Sequence, residues 1–189
     1  MASVRRRVPL IAAATLLVSA CGYNTIQTRD EAVNAAASQI KTQLQRRSDL
    51  IPNLVETVKG FARQESTVFI AVADARSKLS GAVQSGSLQQ MGEANQALQA
   101  PLGRLLALAE NYPELKSNQN FLQLQDQLEG TENRISVARQ DYNKAVEDYN
   151  AFIRRFPYSL TAMMFGMSKP REYFELTNPA AGEAPKVKF

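Results

Sequence analysis

A single cysteine and no histidine leave this 189-residue chain few routes to covalent or acid–base chemistry. Composition alone excludes an intramolecular disulfide, a Cys/His zinc site and every histidine-based triad or general base. The remaining titratable candidates are carboxylates. Glu129 and Glu132 would be the pair to test as hydrolytic groups, and that use requires strongly raised carboxylate pKa values in a cleft. No spacing builds a carboxylate metal site or a Ser/Lys pair, so the expectation is a non-enzyme with no catalytic residue, no metal and no cofactor.

The thiol has a different chemistry open to it. Met1 to Ala20 divides into a basic region with Arg5, Arg6 and Arg7, and an apolar stretch from Val8 to Val18 broken only by Pro9 and Thr15. The small residues Ser19 and Ala20 then precede Cys21. This is the layout of a secretory signal, and the apolar run falls well short of the roughly 20 residues that cross a bilayer as a permanent helix. Val18-Ser19-Ala20-Cys21 resembles the lipobox of bacterial lipoproteins, in which the cysteine sulfur is acylated and the signal is cut before it. Lipidation at Cys21 is therefore expected, against the alternatives of an incidental cysteine or a retained signal-anchor. Acyl burial contributes roughly 0.8 kcal/mol per CH₂, so several chains on one residue hold a protein firmly. Gly22 stands where an inner-membrane retention signal usually places Asp, which favours the outer membrane where the cell has one.

A second group invites binding rather than reaction. Arg46, Arg47, Asp49 and Asn53 in one segment, and Glu129, Glu132, Asn133 and Arg134 in another, are more polar than helix packing needs. They are expected to pair across the bundle in a buried or interfacial network, with a partner-recognition patch as the alternative. Nucleic acid is not the expected partner. Of 22 basic residues three lie before Cys21, leaving 19 against 18 acidic ones, and no basic run is interleaved with aromatics.

The elements that must position these residues are helices. A tether, residues 21–27, is expected to lead to Thr28-Arg29-Asp30-Glu31, which reads as a capping box opening the first helix, with Val33, Ala37, Ile40 and Leu44 on its apolar stripe. At Pro52 either Asp49 caps a new helix or the rod kinks. From Ile51 a stripe of Leu54, Val58, Phe61, Glu65, Val68, Val72, Ala75 and Leu79 points to one core-facing helix, closed by a turn over Ser80 to Ser87. A third segment, Leu88 to Ala109, carries Pro101 and Gly103, which should weaken or bend it, and breaks at Tyr112-Pro113.

The last long stripe runs Phe121, Leu124, Leu128, Thr131, Ile135, Ala138, Tyr142, Ala145, Tyr149, Phe152 and Phe156 in steps of three and four. Such a repeat points to nearly parallel axes. The predicted fold is all-α, an elongated antiparallel up-and-down helical bundle over residues 28–174. Ser159 is expected to cap a short helix containing Leu160, Met163, Met164, Phe165 and Met167, either as a flap over the bundle or as a Met-rich surface for a partner or membrane. Residues 175–189 read as a flexible tail, and Val187-Lys188-Phe189 as a disordered end or a strand for a PDZ groove.

Several runs are specific enough to carry a family resemblance: Cys21-Gly22-Tyr23-Asn24, Arg46 to Val55, Glu110-Asn111-Tyr112-Pro113-Glu114-Leu115-Lys116, Asn120-Phe121, Leu128 to Ile135, Tyr142-Asn143 and Tyr149-Asn150. On these the chain resembles the LemA family across its length after the signal. The resemblance implies a membrane-attached helical bundle facing away from the cytoplasm, and it implies no reaction. The expected role is that of an envelope lipoprotein, facing the periplasm or cell exterior, that acts as a scaffold or adaptor for an envelope protein. The alternative is a module holding a small ligand, lipid or wall fragment between the helices near Tyr142 and Tyr149.

Overall fold

The protein is described by a computed structural model covering residues 2–174, with side chains from Gly22 onward. Among the described residues there is no strand, and the fold is an all-α helical bundle. The expected C-terminal tail lies outside the described residues, as does the side chain of Cys21. Two compact units are formed: unit one from residues up to Ser38 with Arg139–Tyr173, and unit two from Gln39–Ala138 with Phe174.

Helix α1 runs Ala2–Lys59 without interruption. The expected cap at Thr28 is therefore corrected: Thr28 lies inside the helix, and its hydroxyl donates back to the Asn24 carbonyl at 2.9 Å. A Thr-x-x-Glu pattern opens a helix only where the preceding residues are not already helical. Pro52 likewise neither ends α1 nor receives a cap from Asp49, which accepts from Gln45 at 2.8 Å. Proline frees the carbonyl four residues before it, here that of Ser48. Arg76 Nε of the next helix donates to that carbonyl at 2.9 Å, so the lost helical bond is replaced from outside.

The stripe expected as one helix from Ile51 to Leu79 is split between two. Gly60 N and Ala62 N close the end of α1 onto the carbonyls of Glu56 and Val58, and α2 (Ser66–Ser85) begins after Glu65. Ala62 and Phe69 are buried on either side of the turn. α2 then continues through Gly81, because Ala82 and Val83 are core residues that hold its last turn in place. The expected eight-residue turn shrinks to Gly86, whose φ of 76° suits glycine, and Ser87, which accepts from Gln90 N at 3.3 Å and caps α3 (Leu88–Leu108). α2 and α3 thus form a tight antiparallel hairpin.

α3 passes through Pro101 with Leu98, Leu102 and Leu105 buried around it. A 3₁₀ turn (Ala109–Asn111) leads to α4 (Pro113–Lys116), where proline occupies the first turn, the one place in a helix it does not disturb. Asn118 then caps the long helix α5 (Gln119–Ile153), accepting from Phe121 N at 3.1 Å. Phe121, Leu128, Thr131, Ile135, Ala138, Tyr142, Tyr149 and Phe152 of the predicted stripe are all buried.

Phe156 is the correction to that stripe. It falls beyond the helix end and is 81% exposed. The short helix α6 (Tyr158–Met164) starts from Pro157 with no side-chain cap, so Ser159 is an interior residue rather than its cap.

Candidate functional site

In unit two, the polar residues singled out in the sequence come together only in part. Arg47 and Glu132 form an ion pair between α1 and α5; the Arg47 side chain is 6% exposed and that of Glu132 42%. One step along, Arg134 Nε donates to Gln43 Oε1 at 3.2 Å. As the α1 number rises from 43 to 47 the α5 number falls from 134 to 132, the signature of antiparallel packing in this unit. Burial pushes the Arg47 pKa down from its ordinary value, because the guanidinium gives up hydration. Arg47 Nε and the hydroxyl of fully buried Ser48 have no hydrogen-bond partner among the described residues.

The other members of the set do not join. Arg46, Asp49, Asn53, Glu129 and Asn133 are exposed. Arg46 and Asp49 instead line an open groove of about 460 Å³ on α1, with Lys41, Gln45 and Leu50 beside them and Val83 of α2 opposite. Glu129 is held by Gln125 of its own helix at 3.2 Å while Glu132 is committed to Arg47. These two carboxylates do not form a hydrolytic pair. Among the described residues no group of three or more His, Cys, Asp or Glu is placed to hold a metal ion.

Unit one contains a polar constellation that sequence reasoning missed. After α6 the chain returns along α1 and α5 as an extended strap, and Arg171 clamps it. Its guanidinium makes three bonds of 2.7–2.9 Å to the Asp30 carboxylate. Its backbone N–H and carbonyl both pair with the side-chain amide of Asn150, at 2.8 and 2.9 Å. The only sequence signal was Asn150 itself, which sits in the Tyr-Asn run quoted above; Asp30 and Arg171 are 141 residues apart, beyond any periodicity.

The strap also settles the tyrosine seam. Tyr142 and Tyr149 are buried, and their hydroxyls donate to the strap carbonyls of Glu172 at 2.9 Å and Met167 at 3.2 Å. Burial raises both pKa values; Arg171 opposes this at both, while Glu172 adds to it at Tyr142 and Asp30 at Tyr149. With both hydroxyls spent on backbone, the seam considered as an alternative ligand site is occupied by the chain itself. The idea of a ligand held there is corrected accordingly.

Unit one further packs α6 and Phe165 against Gly22 and Tyr23 of α1. A Cβ on Gly22 would lie 2.9 Å from the ring of Tyr158, which is itself stacked on Phe152 at 4.3 Å and has little room to move. Glycine at this position thus has a packing reason independent of membrane sorting. Tyr23 meets Phe165 with ring centroids 4.8 Å apart, and Arg29 lies 4.9 Å over Phe152.

Sequence comparison identifies the family. The model of the LemA family matches residues 36–189. Among curated relatives, the magnetosome proteins MamQ 1 and MamQ 2 of Paramagnetospirillum magneticum are each 30% identical over 200 residues, covering 92% of this chain and 70% of theirs. Magnetosome protein MamQ of Magnetospirillum gryphiswaldense is 29% identical over 188 residues, covering 87% of this chain and 68% of its own. Matched over most of its length by both the family model and these relatives, the chain belongs to the LemA family.

Proposed function

We propose that this protein is a membrane-anchored envelope lipoprotein, held through acyl chains on Cys21, whose helical domain serves as a non-enzymatic scaffold or adaptor for another envelope protein. The observation that carries the adaptor role is the division of the polar set in unit two. Arg47 and Glu132 are consumed in holding α1 to α5, whereas Arg46 and Asp49 stay in water beside an open groove with an apolar floor at Leu50 and Val83. Opposite charges flanking an apolar strip match the anatomy of a modest protein-binding surface.

Further support comes from what the side chains are not doing. The chain has no histidine, its candidate carboxylates are individually committed or solvated, and its buried tyrosine hydroxyls bind backbone. The name of its MamQ relatives refers to a cellular structure and not to a reaction. Membrane attachment rests on the signal-like N-terminus and its cysteine; among the described residues no helix is long and apolar enough to cross a membrane.

The test is cross-linked affinity capture from intact envelope with the full-length chain as bait, beside Arg46→Glu and Asp49→Lys. A reproducible partner whose yield falls several-fold with either charge reversal is the expected result. No reproducible partner, or a partner indifferent to both reversals, contradicts the adaptor role of this groove.

A further inference from the structure

The exposed apolar side chains of unit one are concentrated where the chain turns from α5 into α6 and out of it. Phe156, Leu160, Met163, Met164 and Phe165 are between 50% and 81% exposed and lie within ten consecutive residues. Thr161 and Ala162 are the buried residues of α6, so the helix is fixed to the unit by its polar and small side while its large apolar side faces outward. The same stretch is one-sided in charge. From 154 to 170 it carries Arg154, Arg155 and Lys169 and no Asp or Glu.

Its location in the unit is also specific. Tyr158 packs on Gly22, Phe165 on the ring of Tyr23, and Met167 Sδ lies 3.7 Å from Gln27 Nε2. Gly22 to Gln27 directly follow Cys21 and the apolar N-terminal stretch. Six helical residues rise about 9 Å, close to the 5–10 Å depth at which interfacial amphipathic segments sit in a bilayer.

We propose that α6 with Phe156 and Phe165 forms a membrane-seated foot: a lipid surface with anionic headgroups covers this patch, taking the Met and Phe side chains among the upper acyl chains and Arg154, Arg155 and Lys169 among the phosphates. The proposal rests on the anchoring reading above, since the anchor is what brings Gly22 and α6 to the bilayer. Flexible, unbranched methionines suit a fluid, unshaped partner. A cationic border without acidic residues complements anionic headgroups and leaves long side chains free to reach the interface.

The absence of tryptophan makes the test clean. Full-length chain extracted from the membranes in which it is made, carrying Met164→Trp, Leu160→Trp or, as control, Ala35→Trp, is reconstituted into phosphatidylcholine–phosphatidylglycerol vesicles with or without brominated lipid. Ala35 is exposed in unit one and lies about 20 Å further along α1 from Gly22. For a foot seated at interfacial depth, bromolipid should remove about half or more of the emission of Met164→Trp and Leu160→Trp, with a blue shift, and spare Ala35→Trp. Arg154→Glu with Arg155→Glu should weaken that quenching.

A chain that floats with the vesicles but shows no more quenching at 160 and 164 than at 35 overturns the foot and leaves anchoring intact. A chain that does not float overturns both. Emission that shifts with protein concentration, unquenched by bromolipid, assigns the patch to a second copy of the chain and equally overturns the proposal.

Discussion

The two units hold their long helices together in opposite ways. In unit one the Arg171 clamp is over-determined: three bonds to Asp30, two between the Arg171 backbone and Asn150, and two tyrosine hydroxyls on strap carbonyls, with Arg171 and Asp30 partly in water. In unit two the polar link is one ion pair, with its guanidinium buried and its carboxylate half in solvent, and one exposed hydrogen bond from Arg134 to Gln43. The difference is one of desolvation. A redundant network at the surface loses little when one bond is cut, whereas a buried charge with one partner is costly to strand.

The largest effect is expected from that asymmetry. Glu132→Ala should cost about 3 kcal/mol in urea unfolding of the full chain, because it leaves Arg47 buried without a counter-charge, while Arg47→Met should be nearly neutral because Glu132 relaxes into water. Equal losses in the two variants would break the comparison at its base. Next, Gly22→Ala should cost about 2 kcal/mol, since the added methyl meets a ring already stacked on Phe152. A variant of unchanged Tm would mean that α6 does not press on α1.

Asn150→Ala should also cost about 2 kcal/mol by stranding both backbone groups of Arg171, and should open the Arg171–Glu172 bond to trypsin. Asp30→Ala, with a partly solvated pair, should cost about 1 kcal/mol and leave the strap protease-resistant. Reversal of that order would make the clamp an electrostatic device and not a backbone one. The smallest effect is alkaline. Burial raises the Tyr142 and Tyr149 pKa values, so above their ordinary value near 10 the folded state holds protons that the unfolded state has released. Stability should be full below about pH 10 and fall as pH rises through the folded pKa values, and Tyr142→Phe with Tyr149→Phe should flatten that limb of a Tm–pH profile.

These contrasts also explain what was legible in the sequence. Apolar stripes reported the buried faces of α1, α2 and α5 because burial follows period, from Val33 to Leu44 and from Phe121 to Phe152. Local punctuation was read less well. Thr28 and Ser159 look like caps but stand inside helices, and Pro52 passes unbroken because Arg76 reaches the carbonyl it frees. Excess polarity on helices marks Arg47 and Glu132 among eight candidates and does not say which of them pair. Arg46 and Asp49 share that polarity and face the other way, a choice fixed by helix rotation and not by composition. The Asp30–Arg171 clamp had no sequence signature, since it depends on a strap returning from the far end of the chain.

Under the proposed anchoring, attachment at Cys21 is what brings this protein to the membrane, and intact-mass analysis of the membrane-extracted protein beside Cys21→Ser measures it directly. The expected result is an acylated chain beginning at Cys21, and a variant that is left uncleaved or released from the lipid fraction. A full-length, unmodified chain that stays in the membrane would contradict it and make the N-terminal helix itself the anchor.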